Sequence, residues 1–245
     1  MISPLLIASA LISHAVSCAQ PESRSMPAVH LTADEILSRS GAAHAGAAHL
    51  WARGLFRDHR RGRNRRVPIE WILARPGRCR LQIDRDVAII VGDQWWSYRE
   101  EVGRFIGHRT FTKTPIETAA FLLSDHAPLL LPSLFLPGAA AFEGPGLPWK
   151  LQGVAWEAGR PCYVFARTLA TADAAPTLRI WIDQDSLLLR SWTLGRTRED
   201  GTEGIFLEVT YYDLVANGPL AADAFQLTEP ARIELPSAAA ADATP

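Results

Sequence analysis

The stretch Leu178–Val215 contains three strand-like runs that decide the fold of this sequence. They read Leu-Arg-Ile-Trp-Ile-Asp at 178–183, Leu-Leu-Leu-Arg-Ser-Trp-Thr-Leu at 187–194 and Ile-Phe-Leu-Glu-Val-Thr-Tyr-Tyr-Asp at 205–213. Short polar segments, such as Glu199-Asp200-Gly201, separate these β-branched, aromatic and apolar runs. In the first and third runs the side chains alternate between an apolar and a mixed face. The stretch therefore predicts a meander of three antiparallel strands whose apolar face needs a cover.

Other short runs extend this sheet along the chain. Strand-like alternation recurs between 49 and 98 and again from 149 to 169, and we expect a short last strand at Phe225-Gln226-Leu227. The basic run at 59–66 joins two of these strands. We interpret it as a solvated hairpin loop whose like charges prevent pairing with other sheet edges.

Length and composition indicate one globular domain. The chain has 245 residues, of which 48% are hydrophobic and 21% charged, and its formal net charge is -1. This charge argues against a general nucleic-acid binder, which is normally markedly basic.

A capping box formed by Thr32 and Glu35 predicts a helix at the start of the domain. We expect a single domain over 31–235, after a polar linker at 20–30 and before a disordered tail at 236–245.

The segment Met1–Ala19 has the pattern of a secretory signal. Its apolar part, Pro4–Val16, has the length of a signal core and is too short to span a bilayer. Two processing sites remain open. Ala15-Val16-Ser17-Cys18 resembles a bacterial lipobox, in which Cys18 would be lipidated and would bind the membrane surface. Ser17-Cys18-Ala19 instead fits a small-residue cleavage site. Either site predicts export to the periplasm or the outer membrane of a bacterium.

The apolar segment 115–137 differs from the strands. Its first part has helical propensity and its second part is interrupted by prolines, which exclude one long helix or a central strand. We expect it to lie across an apolar surface as a short helix or irregular cap. A curved sheet under such a cap would enclose a cavity for a lipid-like ligand, although the same side chains would also suit a filled barrel core. The residues predicted to line the cavity and its cover are Trp71, Trp96, Phe121, Leu130, Leu134, Phe135 and Trp181.

The sequence contains no familiar catalytic or metal-binding motif. The G-x-S-x-G, HExxH, P-loop and G-x-G-x-x-G patterns do not occur, and the histidines lack the spacing of metal ligands. Cys79 and Cys162 have no nearby histidine and do not make a zinc site. They form either a disulfide or two separate buried thiols, because an exported protein permits both. We therefore expect a protein that is not an enzyme and has no cofactor.

Four landmarks occur in a fixed order along the chain. They are Arg75-Pro76, then Ala88–Asp93 with Gln94–Tyr98, then Ile180–Asp183 with Leu187–Arg190, and last Tyr211–Leu214 with Asn217–Leu220. In this order they resemble the outer-membrane lipoprotein carrier superfamily, that is, the Lol carrier and its relatives. The resemblance covers most of 32–235.

The resemblance implies a fold, a site and a function. The fold is mainly β, an unclosed and curved antiparallel β-barrel with an N-terminal helix and a helical, apolar lid over a hydrophobic cavity. The lid would be 115–137, Arg75 would latch it, and the cavity would hold the acyl chains of a lipid or lipoprotein. We therefore predict a monomeric, non-enzymatic binding or carrier protein that does not bind nucleic acid. The alternative is an envelope sensor or protein-interaction module on the same fold.

Overall fold

One helix and eleven strands make up the part of the chain that the structure describes. The computed structural model describes residues 31–60, 65–109, 147–169, 175–197 and 202–234. The predicted lid at 115–137 and Cys18 lie outside these ranges. No helix in the described ranges is long and apolar enough to cross a membrane.

The helix precedes all the strands in the chain. Helix α1 is Ala33–Gly46. The strands are β1 His49–Asp58, β2 Arg65–Ala74, β3 Arg78–Ile83, β4 Asp86–Val91, β5 Gln94–Arg99, β6 Arg104–Arg109, β7 Lys150–Glu157, β8 Arg160–Thr168, β9 Thr177–Asp183, β10 Leu189–Thr197 and β11 Glu203–Ala216.

Helix α1 begins at the capping box that the sequence predicts. The backbone N–H of Thr32 donates to Oε2 of Glu35 at 2.8 Å, and the Thr32 hydroxyl accepts from the N–H of Glu35 at 3.3 Å. The first N–H groups of a helix have no partner within it, so these bonds fix the residue at which α1 starts.

The strands form a single sheet in the order β6-β5-β4-β3-β2-β1-β11-β10-β9-β8-β7. Neighbouring strands are antiparallel and consecutive in sequence, except that β1 pairs with β11 in the middle of the sheet. As a result β6 and β7 are the two edges, and within the described ranges they do not pair with each other. The predicted fold class, an unclosed antiparallel sheet with an N-terminal helix, is confirmed.

The sheet has an apolar face and a mixed face, which we call the core face and the polar face. The register places Ala52 opposite Trp71 and Trp71 opposite Leu81, so these three side chains lie on the core face. Opposite charges face each other on the polar face, where Arg53 pairs with Asp213. The core face is almost fully buried along the middle of the sheet, where its residues include Leu50, Phe56, Ile69, Phe165, Ile180, Trp192 and Tyr211.

The predicted meander corresponds to β9, β10 and β11, and it is confirmed. Leu178, Ile180 and Ile182 are buried and share the core face, as their alternation predicts. Two register shifts interrupt the meander, one between β10 and β9 and one between β10 and β11. Each shift is a β-bulge or irregularity, and a bulge increases the local twist of the strand.

The predicted short strand at Phe225–Leu227 is wrong. The backbone there forms a turn, in which the N–H of Gln226 donates to the carbonyl of Asp223 at 2.9 Å. The Phe225 ring packs on the polar face of the sheet against a cluster formed by Val87, Ile89 and Tyr98. The C-terminal segment is therefore held to the sheet by a side chain and not by strand pairing.

A buried histidine joins α1 to the sheet. The Nδ1 atom of His44 lies 2.8 Å from the carbonyl of Ser40, and its Nε2 atom accepts from the N–H of Leu189 at 3.2 Å. These partners require a neutral ring with its proton on Nδ1. Burial lowers the pKa of His44 below its ordinary value, and the nearby charge of Arg75 lowers it further.

This contact predicts a loss of stability in mild acid. A histidine with a lowered pKa in the folded state binds its proton more readily in the unfolded state, whose pKa is about 6.5. We therefore expect the free energy of unfolding to be constant above about pH 7 and to fall as the pH drops below about 6.5. Urea denaturation of the mature protein across this pH range measures the effect.

Replacement of His44 provides the matched test. His44→Ala should lower the free energy of unfolding at neutral pH by about 2–4 kcal/mol, because two hydrogen bonds and buried volume are lost. The variant should also have a flatter pH profile between pH 7 and 5. His59→Ala, at an exposed position, is the control. If the free energy of unfolding depended on pH in the same way in His44→Ala and in the wild type, His44 would not be the group responsible for the loss of stability in acid.

Candidate binding site

Trp71, the first of the predicted cavity residues, lies in the packed centre of the core face. It is 1% exposed, and its ring meets the Tyr211 ring edge-on at a centroid distance of 5.8 Å. Burial raises the pKa of Tyr211 above its usual range. Trp71 is therefore a core residue in this structure, and its contact with a ligand stays a prediction.

Trp96 and Trp181 lie on the other face of the sheet. Trp96 pairs with Ile89 of β4 and is half-buried in the cluster that also receives Phe225. Trp181 pairs with Ser191 on β10 and is also half-buried. The structure thus separates these two side chains from Trp71 by the thickness of the sheet. One cavity wall formed by all three is not present in the described residues.

Arg75 has its described partners at the end of α1. Its Nε donates to the carbonyl of Ala47 at 3.0 Å, and its Nη2 donates to the carbonyl of His44 at 3.1 Å. The last carbonyls of a helix have no partner within it, and a cation there also complements the helix dipole. The predicted latch role of Arg75 is untested, because its expected partners lie outside the described ranges, as do Phe121, Leu130, Leu134 and Phe135.

Exposed apolar side chains lie on the core face at both edges of the sheet, where Ile106 of β6 lies between Arg104 and His108 on the same face. On β6, Ile106 is 38% exposed, and on β7 the exposed fractions are 40% for Leu151, 59% for Val154 and 74% for Trp156. The register places all four on the core face. This apolar rim, formed by Ile106, Leu151, Val154 and Trp156, borders the side on which the sheet does not close.

A cleft of about 700 Å³ lies on the polar face, between β1–β3 and the C-terminal segment 219–234. Its floor is formed by Trp51, Glu70, Ile72, Arg80 and Gln82, together with Arg53. The volume is in the range of small-molecule sites. The sequence did not indicate this cleft, because a short last strand at 225–227 was expected where the structure has a segment that crosses the polar face.

The C-terminal roof of the cleft is held at two points. Gln82 is 3% exposed, and its Nε2 donates to the carbonyl of Ala231 at 2.6 Å. Phe225 packs into the cluster on the polar face, and the Arg78 guanidinium lies 5.1 Å from its ring centroid. Gln82 continues the polar alternation of Arg78 and Arg80 along β3, so no local sequence signal indicated this contact.

The two cysteines are free thiols on opposite faces of the sheet. Cys79 lies on the core face of β3, and Cys162 lies on the polar face of β8. Burial raises the pKa of both thiols to about 12, with a further contribution from Asp183 at Cys162. A thiol with a raised pKa is a poor nucleophile. The described residues also contain no group of three side chains placed to hold a metal ion.

No protein-family model matches the chain, and no curated protein matches it in sequence. Solved structures do match it. MucB in complex with MucA from Pseudomonas aeruginosa is 15% identical over 82% of this chain, with a TM-score of 0.49. The lipoprotein LppX of Mycobacterium tuberculosis is 14% identical over 78% of this chain, with a TM-score of 0.42. A LolA superfamily protein of Nitrosomonas europaea is 12% identical over 80%, with a TM-score of 0.32.

The superfamily that the sequence resembles is therefore among the matches. At these identities the likeness concerns the fold alone. The chain spans 62% of the MucB chain, 100% of the LppX chain and 98% of the Nitrosomonas europaea chain.

The two anchors of the C-terminal segment predict a specific response to mutation. Phe225→Ala should lower the free energy of unfolding by about 1–2 kcal/mol, since the ring is only partly buried. Amides in 219–234 should then exchange hydrogen faster, while those of β1 and β2 should not change. Leu227→Ala is the control, because Leu227 is 45% exposed in the same segment. Unchanged exchange in Phe225→Ala would show that the ring does not hold the segment.

Proposed function

We propose that this chain is a non-enzymatic binding protein of the bacterial envelope. Its ligand is an acyl chain of a lipid or a lipoprotein, bound at the open side of the sheet. The apolar rim carries the proposal, because four side chains of the core face are exposed at the two edges. Three of the four lie on β7, and a group of exposed apolar side chains is commonly a site for a ligand or partner.

Acyl chains suit this rim for energetic reasons. Burial of an apolar side chain is worth about 1.5–3 kcal/mol, and each buried methylene group of a ligand adds about 0.8 kcal/mol. A bound chain that covers the rim would gain both contributions. Strands β6 and β7 do not pair with each other within the described ranges. No backbone hydrogen bonds between these two strands therefore fix the distance between them.

The signal segment supports the location in the envelope. Its two processing sites lead either to a periplasmic protein or to a protein bound to the membrane by a lipid on Cys18. In both cases the domain 31–235 would meet lipids and lipoproteins outside the inner membrane.

Fluorescence titration with 11-(dansylamino)undecanoic acid tests the proposal. The mature protein should give a saturable increase in dansyl emission. The double variant Ile106→Asp/Leu151→Asp should bind at least tenfold more weakly, because each carboxylate would have to be desolvated beside the chain. Both positions are exposed, so the melting temperature should stay close to that of the wild type.

Val102→Asp is the matched control for this titration. Val102 is 47% exposed and precedes β6, outside the paired strands. Its variant should bind like the wild type. Absence of saturable binding to the wild type, or equal binding to the double variant, would overturn the proposal.

The predicted lid gives an independent test. Leu130→Glu or Phe135→Glu should reduce uptake of the same probe and leave the circular dichroism spectrum unchanged. Full uptake by both variants would remove 115–137 from the binding site without affecting the role of the rim.

A further inference from the structure

Arg167 is a charged residue on the otherwise apolar core face of β7, β8 and β9. The register places it opposite Leu178, which is 7% exposed and lies on the core face. The residues that share this face of the three strands run from Leu151 on β7 to Ile182 on β9. Within the described ranges, Arg167 is the only charged residue among them. It gives one end of this apolar face a positive charge.

Contacts with the segment before β7 orient the Arg167 side chain. Its guanidinium carbon lies 5.0 Å from the ring centroid of Trp149, within the range of a cation–π contact. The N–H of Leu147 donates to the carbonyl of Thr168 at 2.9 Å, which holds this segment beside the end of β8. Arg167 is half-buried, and burial lowers the pKa of its guanidinium. The group stays charged at neutral pH, because the ordinary pKa of arginine is above about 12.

Positive charge dominates the surroundings of Arg167. The described segments 147–151, 164–169 and 175–180 contain Lys150, Arg167 and Arg179, and they contain no carboxylate. Lys150 and Arg179 both lie opposite Ala166, one on each side of β8, and therefore on the polar face. The potential is positive at this end of β7–β9, and Arg167 is the cation that brings it to the core face.

Arg167 also borders the apolar rim. Leu151 of the rim lies opposite Phe165, so Arg167 is its diagonal neighbour across the strand pair, at about 7–8 Å between Cα atoms. From Leu151 the exposed rim residues continue along β7 through Val154 to Trp156, away from Arg167. An acyl chain that covers these three side chains would therefore have one end beside the guanidinium.

We propose that Arg167 binds the head group of the acyl ligand, and that this head group is an anion, either a carboxylate or a phosphate. Head-group binding by Arg167 rests on the acyl-chain site proposed above. A guanidinium has five N–H donors in a planar fork, which suits two oxygens of one anion. Hydrogen bonds to an ionised acceptor are roughly twice as strong as those to a neutral one. The site would thus select anionic amphiphiles over neutral lipids with the same chain.

A matched pair of fluorescent probes tests this selection on lipid-free mature protein. One probe is 11-(dansylamino)undecanoic acid, and the other is 11-(dansylamino)undecanamide, in which a primary amide replaces the carboxylate. The wild type should bind the acid at least tenfold more tightly than the amide, because only the acid carries the charge that Arg167 complements. This comparison needs no variant and does not depend on how a substitution affects folding.

Substitutions of Arg167 localise the preference. Arg167→Gln should lower the affinity for the acid at least tenfold and leave the affinity for the amide within about twofold. Arg167→Lys keeps the charge without the planar fork, so its preference for the acid should be intermediate. Lys150→Gln and Arg179→Gln are the controls, because each removes one positive charge from the polar face of the same strand ends. Both should keep the preference of the wild type.

Competition against the acid probe distinguishes a lipid head group from a free anion. Lysophosphatidic acid, below its micelle concentration, should displace the probe at least tenfold better than a monoacylglycerol with the same acyl chain. Inorganic phosphate at the same concentration should not displace it, because it has no chain to cover the rim. Displacement by inorganic phosphate would reveal an anion site without an acyl ligand and would overturn the proposal.

The acid and amide probes also separate this site from the acyl-chain site. Equal affinity of the wild type for both probes would overturn anion binding by Arg167 and leave acyl-chain binding in place. A loss of preference in Lys150→Gln or Arg179→Gln as large as that in Arg167→Gln would assign it to the general positive charge and would also overturn the proposal. Saturable binding of neither probe would overturn the acyl-chain site and, with it, the role of Arg167.

Discussion

The pairing of the first strand with the last strand is the constraint on which the rest of the structure depends. Because β1 and β11 meet in the middle of the sheet, the two edges come from consecutive strands in the middle of the chain. The hydrogen bonds of Asn217 hold this arrangement at one end, where its side chain accepts from the N–H of Ala48 at 2.8 Å and its N–H donates to the carbonyl of His49 at 2.9 Å. His44 and Arg75 fix α1 at the same end. The anchored centre leaves β6 and β7 as open edges.

Two surfaces of different chemistry follow from this topology. The core face is packed in the middle of the sheet, so Trp71 and Tyr211 contribute stability there. Among the described residues the same face is exposed at Ile106 and Trp156, and the proposed acyl-chain site lies there for that reason. The polar face is occupied over β1–β5 by the C-terminal segment, anchored at Gln82 and Phe225. Binding is therefore expected at the edges of the sheet.

Local patterns in the sequence predicted the helix start at Thr32 and the meander at Leu178–Val215, whereas the open sheet was expected from the family resemblance. They succeeded because capping and alternation depend on residues close in sequence. The same alternation placed Trp181 opposite Ile180 within its strand, so its assignment to a cavity wall conflicted with that pattern. The face of Trp96 relative to Trp71 was not predictable in this way, since period two relates residues within a strand and not between strands. The strand predicted at Phe225–Leu227 was wrong because a single apolar side chain can anchor either a loop or a strand. The exposure of β7 depends on its place at the edge, which alternation does not reveal.

The most direct test of acyl-chain binding is native mass spectrometry of the mature protein, exported in a bacterium and purified without detergent. The account predicts a population heavier than the mature polypeptide by the mass of a lipid or lipid-modified peptide, released as that molecule on activation. A single species at the polypeptide mass, unchanged after incubation with phospholipid vesicles and a purified lipoprotein, would contradict it.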